Sequence, residues 1–136
     1  MNEIKNKSIL ITGGATGIGF AMAKRYSEKG AFVTICGRRK EKIKEALELL
    51  NNNVEGLIAD VTIDSDRNKI IETTVNHGSG IDALINNAGN MYRGNIDELE
   101  EVKLLEIFNS NVISGMMLLG KAKKHLKKSE GANIFI

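Results

Sequence analysis

Short apolar runs alternate along this chain with longer segments in which apolar residues recur every third or fourth position. The runs Ser8–Ile11, Phe32–Cys36, Gly56–Ala59, Ala83–Ile85 and Asn133–Ile136 are too short for helices and predict buried strands. After the first run, Ile18, Met22 and Tyr26 fall on one face of a helix opening at Ile18, and Gly30 closes it as the residue just past the end. The cleanest pattern follows: Ile43, Ala46, Leu47 and Leu50 sit at i, i+3, i+4 and i+7, with Lys and Glu between them. Asp64 and Asp66 suit the positive end of a third helix, which carries Ile70, Ile71 and Val75 and ends near Gly78. A long helical region is expected from Asp97 to Lys128. Strands alternating with helices imply a parallel sheet with right-handed crossovers and helices on both faces. The expected fold class is therefore α/β, a doubly wound parallel sheet.

In such sheets, ligands bind outside the carboxyl ends of the strands, where the strand order reverses. The unusual residues of this chain fall at those ends: the stretch Thr12-Gly13-Gly14-Ala15-Thr16-Gly17-Ile18-Gly19, then Gly37-Arg38-Arg39, Asp60-Val61 and Asn86-Asn87-Ala88-Gly89. Strand, glycine turn, helix is the setting in which a loop cradles the pyrophosphate of a dinucleotide. The turn needs residues free to take positive φ, and the phosphate needs bare backbone N–H groups at a helix start. A triphosphatase loop would place Lys and then Ser or Thr after its last glycine; here Phe20 and Ala21 follow Gly19.

Composition narrows the class without changing the picture. The chain has 136 residues, about one domain, with 42% hydrophobic and 26% charged residues. A net charge of +2 gives no bulk field toward nucleic acid or membrane. No run approaches the roughly 20 apolar residues of a membrane span, and the apolar stretch near the N-terminus is too short for a signal peptide. The lone Cys36 reads as a small buried hydrophobe and suits a reducing compartment, so a cytoplasmic location is expected. His77 and His125 stand singly, without metal-ligand spacing. Lys121, Lys123, Lys124, Lys127 and Lys128 read as the solvated end of a helix, where cations suit the dipole, rather than as an anion-binding patch.

Thr12 to Gly19 matches Thr-Gly-x-x-x-Gly-x-Gly in full, and Asn86 to Gly89 matches Asn-Asn-Ala-Gly directly after a strand. With Asp60 after the third strand and Asn111 in the long helix, the chain resembles the short-chain dehydrogenase/reductase family over its whole length. The resemblance implies an NAD(P)-binding Rossmann domain spanning residues 1–136. It implies that Gly13 to Ile18 wrap the pyrophosphate and its ribose. Asp60 would accept from the adenine amino group, with Val61 offering its amide. Asn87 would lie along the riboses while Asn86 ties neighbouring strands together. Extended sugar-nucleotide epimerases are disfavoured, since they space their glycines Gly-x-x-Gly-x-x-Gly and lack Asn-Asn-Ala-Gly.

The end of the second strand chooses the cofactor. NAD-binding relatives usually carry Asp or Glu there, hydrogen-bonded to the ribose 2′-hydroxyl; here Gly37 is followed by Arg38 and Arg39. A guanidinium clamps a 2′-phosphate through paired charge-assisted bonds, and arginines are poorly placed for the dipole at a helix start. NADP(H) is therefore expected over NAD(H), with Arg38 the principal contact.

The family's catalytic Ser and Tyr-x-x-x-Lys fall, by its layout, after the fifth strand, and no residues here take their place. Tyr26 is followed by Lys29 at the wrong spacing, and Tyr92 by Ile96 at the right one. Of the family's catalytic set only Asn111 is present, implied to hold a water that links the lysine to solvent. The chain is thus expected to be the cofactor-binding part of an enzyme interconverting a small carbonyl and an alcohol, truncated after the fifth strand and inactive alone. The last strand would form an apolar edge, and the region 97–128 would carry a subunit interface of a homo-oligomer. The alternative from another class is a naturally short, non-catalytic protein that binds a nucleotide or a partner.

Overall fold

The computed structural model describes residues 3–136. Strands β1 (Ser8–Thr12), β2 (Phe32–Gly37), β3 (Val54–Ile58), β4 (Ala83–Asn86) and β5 (Ala132–Phe135) form one sheet in the order β3-β2-β1-β4-β5. Every neighbouring pair is parallel. Helices α1 (Gly17–Glu28) and α2 (Lys40–Leu49) cover one face; α3 (Asp64–Gly78) and the helix leading into β5 cover the other. The sheet is doubly wound about β1, and its order reverses between β1 and β4.

The two-residue period of a strand sorts the core into two layers. Ile9 and Ile11 of β1, with Val33 and Ile35 of β2, face Ala23 of α1 and Ile43 and Ala46 of α2. Leu10 and Leu84 point the other way, to Ile70 of α3 and to Leu118 and Ala122 beyond it. All five residues of β1 are buried, as the central strand of a sheet covered on both faces must be. Cys36 lies in the second layer, where burial pushes its thiol up to about 12, so it is a core hydrophobe and not a nucleophile.

Four expectations need correction. Strand β3 begins at Val54, two residues before the expected start. Helix α1 buries Gly19, Ala23 and Ser27, while Ile18 stands 63% exposed and Met22 and Tyr26 only flank the core. The helix lies so close to the sheet that small residues form its contact face, and a hydrophobicity pattern does not register them. The expected helix from Asp97 to Lys128 is also broken. A 3-10 turn at Ile96–Glu98 is followed by extended backbone at Leu99 and Glu100, and only then does α4 (Glu101–Phe108) begin. A π turn at Asn109–Ile113 joins α4 to α5 (Ser114–Ser129).

Contrary to the reading of separate runs, the 26-residue helical stretch Glu101–Leu126 is long and apolar enough, by length and composition, to cross a membrane, its most apolar 18-residue stretch having a mean hydropathy of 1.3. The run qualifies because residues 107–120 carry no charged side chain. Its inner line, Ser110, Ser114, Leu118, Ala122 and Leu126, is buried against the sheet, as in the core helix of a doubly wound domain.

Candidate functional site

A cleft of about 570 Å³ opens where the strand order reverses. The glycine loop contributes Gly13, Ala15, Thr16 and Ile18; the end of β2 contributes Gly37, Arg38 and Arg39, with Lys42 from α2. Asp60, Val61 and Thr62 follow β3, and Asn87, Ala88, Gly89 and Asn90 follow β4; Ser110 comes from the π turn. Four strand ends thus supply the walls.

The glycine loop is welded to the loop after β4. The buried Thr12 hydroxyl accepts from the backbone N–H groups of Asn87 and Ala88, both at 3.0 Å. In return, Asn87 Nδ2 donates to the carbonyls of Thr12 and Gly13, both at 3.1 Å. Gly13 takes φ +65°, which a side chain would strain. A Cβ on Gly19 would fall 2.2 Å from the Gly13 carbonyl oxygen, so α1 approaches the loop only because that position is bare. Thr12, Gly14, Gly19 and Asn86 therefore stand behind the wall and shape it. Asn86 Nδ2 donates to Asn133 Oδ1 at 2.8 Å, tying β4 to β5. Exposed Gly17, at φ +55°, leaves open space where a Cβ would project.

The loop after β3 is pinned from three sides. Asp60 Oδ1 accepts from the Thr62 backbone N–H at 2.9 Å and its hydroxyl at 2.7 Å. The Asp60 N–H donates to Asp66 Oδ2 at 2.9 Å, and chiefly this bond holds the Asp66 carboxyl below its ordinary value. Buried Arg67 donates through Nη1 to the Val61 carbonyl at 2.8 Å and through Nη2 to Asp64 Oδ1 at 3.1 Å. Asp66 was read only as a helix-start residue and Arg67 not at all, because only folding brings the first turn of α3 under this loop.

At the end of β2, Arg39 is the N-cap of α2 and makes no capping bond. Lys42 is paired with Glu45 at 2.6 Å. Arg38 reaches across to the loop after β4, where its Nη2 donates to Asn90 Oδ1 at 2.9 Å. Asn111, exposed in the π turn, bonds both backbone groups of Asn90. The Asn90 N–H donates to Asn111 Oδ1 at 2.7 Å, and Asn111 Nδ2 donates to the Asn90 carbonyl at 2.8 Å. This gives a polar residue inside a helix a structural task, and the π turn is the local feature that accommodates it.

These residues fit a dinucleotide. The loop at the start of α1 is free of side-chain bulk at Gly13 and Gly17, and an anion suits that end of a helix. Asp60 keeps its second carboxylate oxygen free of hydrogen bonds among the described residues, and the cleft volume is within the usual range for small-ligand sites.

Known proteins agree with this geometry. The short chain dehydrogenase family model matches residues 7–136. The chain belongs to that family. Dehydrogenase/reductase SDR family member 4 of Mus musculus is 31% identical over 139 residues, covering 99% of this chain and 50% of the relative. NADPH-dependent aldehyde reductase 1, chloroplastic, of Arabidopsis thaliana is 31% identical over 144 residues, 98% of this chain and 49% of its own length. Among solved structures, 3-ketoacyl-(acyl-carrier-protein) reductase from Brucella melitensis, complexed with NADH, superposes with a TM-score of 0.88 at 28% identity. That match covers 93% of this chain and 52% of the other. The short-chain dehydrogenase chain described here thus spans about half the length of the relatives it matches, and its fold is the family's NAD(P)-binding Rossmann fold.

Proposed function

We propose that this chain is the NADP(H)-binding part of a short-chain oxidoreductase that interconverts a carbonyl and an alcohol. The observation carrying the cofactor assignment is the end of β2, where Arg38 and Arg39 line the cleft and Gly37 stands in place of a carboxylate. The relatives' names span both cofactors, NADPH for the Arabidopsis reductase and NADH for the Brucella complex, so the choice rests on this chain's own arginines. Charge-assisted bonds to a 2′-phosphate contribute about 1.5–3 kcal/mol, tenfold or more in affinity.

Bound NADP(H) supplies the hydride. The residues here hold and orient it: Gly13 to Ile18 the pyrophosphate, Asp60 and Val61 the adenine, Asn87 and the following Ala88 and Gly89 the riboses. The apolar outer face of α4 and α5 is the proposed contact between copies in a homo-oligomer.

Fluorescence titration with NADPH and with NADH tests the assignment. NADPH should bind at least about tenfold more tightly, and its advantage should shrink as salt screens the arginines. Equal affinity would remove the NADP(H) assignment. No binding of either would favour a non-catalytic interaction protein.

A further inference from the structure

Arg38 is exposed, and an arginine left to itself in solvent spreads over many rotamers, so that ordering it on a ligand costs conformational entropy. Here its guanidinium already has a partner. Its Nη2 donates to Asn90 Oδ1 at 2.9 Å, across 52 positions of sequence and from the opposite side of the cleft. Asn90 can hold it because Asn90 is itself fixed: Asn111 closes a two-bond ring on its backbone, at 2.7 and 2.8 Å. The Ser110 hydroxyl donates to the same Asn111 oxygen at 3.1 Å. A continuous hydrogen-bonded chain therefore runs from the π turn to the cation at the end of β2.

We propose that Asn90 is a positioning residue for the cofactor's 2′-phosphate, acting through Arg38. The inference rests on the NADP(H) reading above. A guanidinium has five N–H donors, and Asn90 takes one, leaving enough for a bidentate grip on a phosphate. The amide suits this task better than a carboxylate would. It orients the guanidinium without neutralising it and adds no negative charge beside the incoming phosphate.

The test is the NADPH-to-NADH affinity ratio of N90A, N90D, R38A and R38A/N90A, with thermal melts to confirm that each folds. N90A should weaken NADPH about three- to tenfold and leave NADH nearly unchanged, as expected when a pre-ordered side chain is released. N90D should weaken NADPH further, since it sets a carboxylate against the phosphate while keeping Arg38 in place. In the R38A background, adding N90A should no longer move the ratio. A ratio unchanged by N90A would overturn the proposal. So would an equal loss for both cofactors, which marks a general disturbance of the loop, or a gain for NADPH, which marks Asn90 as withholding Arg38. A wild-type protein that does not prefer NADPH removes the underlying NADP(H) reading as well; a wild-type preference that N90A leaves undiminished removes this one alone.

Discussion

Two regions of the molecule contrast sharply. At the carboxyl ends of β1 to β4, side-chain bonds pin the loops within themselves, to one another and to neighbouring helices: Thr12 and Asn87, Asp60 and Thr62, Arg67 and Val61, Asn111 and Asn90. Along the outer face of α4 and α5, large apolar side chains stand in solvent, Leu105 at 60%, Phe108 at 59% and Met116 at 61% exposed. The cleft is shaped by bonds wholly inside this chain. The helix face instead exposes large apolar side chains side by side along α4 and α5. The comparison teaches that the bonds shaping the cleft and the large exposed apolar side chains lie on different parts of the same fold.

The widest difference should come from cutting the first region and the second in parallel. Thr12→Val keeps the buried shape but strands the Asn87 and Ala88 N–H groups, each costing about 1–3 kcal/mol. Urea unfolding should show a loss of about 2–4 kcal/mol, and cofactor affinity should fall with it. Phe108→Ser, on the open face, should change stability by no more than about 0.5 kcal/mol while reducing self-association in sedimentation. Similar stability losses in both variants would break the contrast.

A smaller effect sharpens it by pH. The Asp66 carboxyl titrates below its ordinary value because the Asp60 N–H donates to its charged form. Its contribution is therefore fully present above the unfolded-state value and lost as pH falls through the lower folded-state value. The stability gap between wild type and Asp66→Asn should be full at neutral pH and close in acid, read by urea titration at each pH. A gap independent of pH would mean that the charge on Asp66 does not hold the loop.

How far the sequence reached follows from where each signal lives. The glycine loop, Asn86 to Gly89 and the bare end of β2 were legible because their chemistry is local: positive φ, a strand end, a missing carboxylate. Ile43, Ala46, Leu47 and Leu50 were legible because α2 packs through large apolar side chains. The face of α1 was legible only in part: Met22 and Tyr26 pack against the core, but Ile18 is exposed, and Gly19, Ala23 and Ser27 are buried there by being small. Nor does hydrophobic periodicity mark extended backbone at Leu99 and Glu100, or a π turn, where the apolar residues simply continue. Asp66, Arg67 and Asn90 were invisible as loop-setting residues, because their partners are chosen by tertiary proximity. Arg38 was read from its position alone; what holds it lies 52 residues away.

The most direct test of the central claim, that the end of β2 selects the phosphate-bearing cofactor, is the NADPH and NADH affinity of Gly37→Asp. A Cβ at this position meets only Ile43 Cδ1, at 3.5 Å, an ordinary van der Waals contact. The account predicts that the carboxylate repels the 2′-phosphate and accepts from a 2′-hydroxyl, inverting the preference to NADH. An unchanged preference would contradict it.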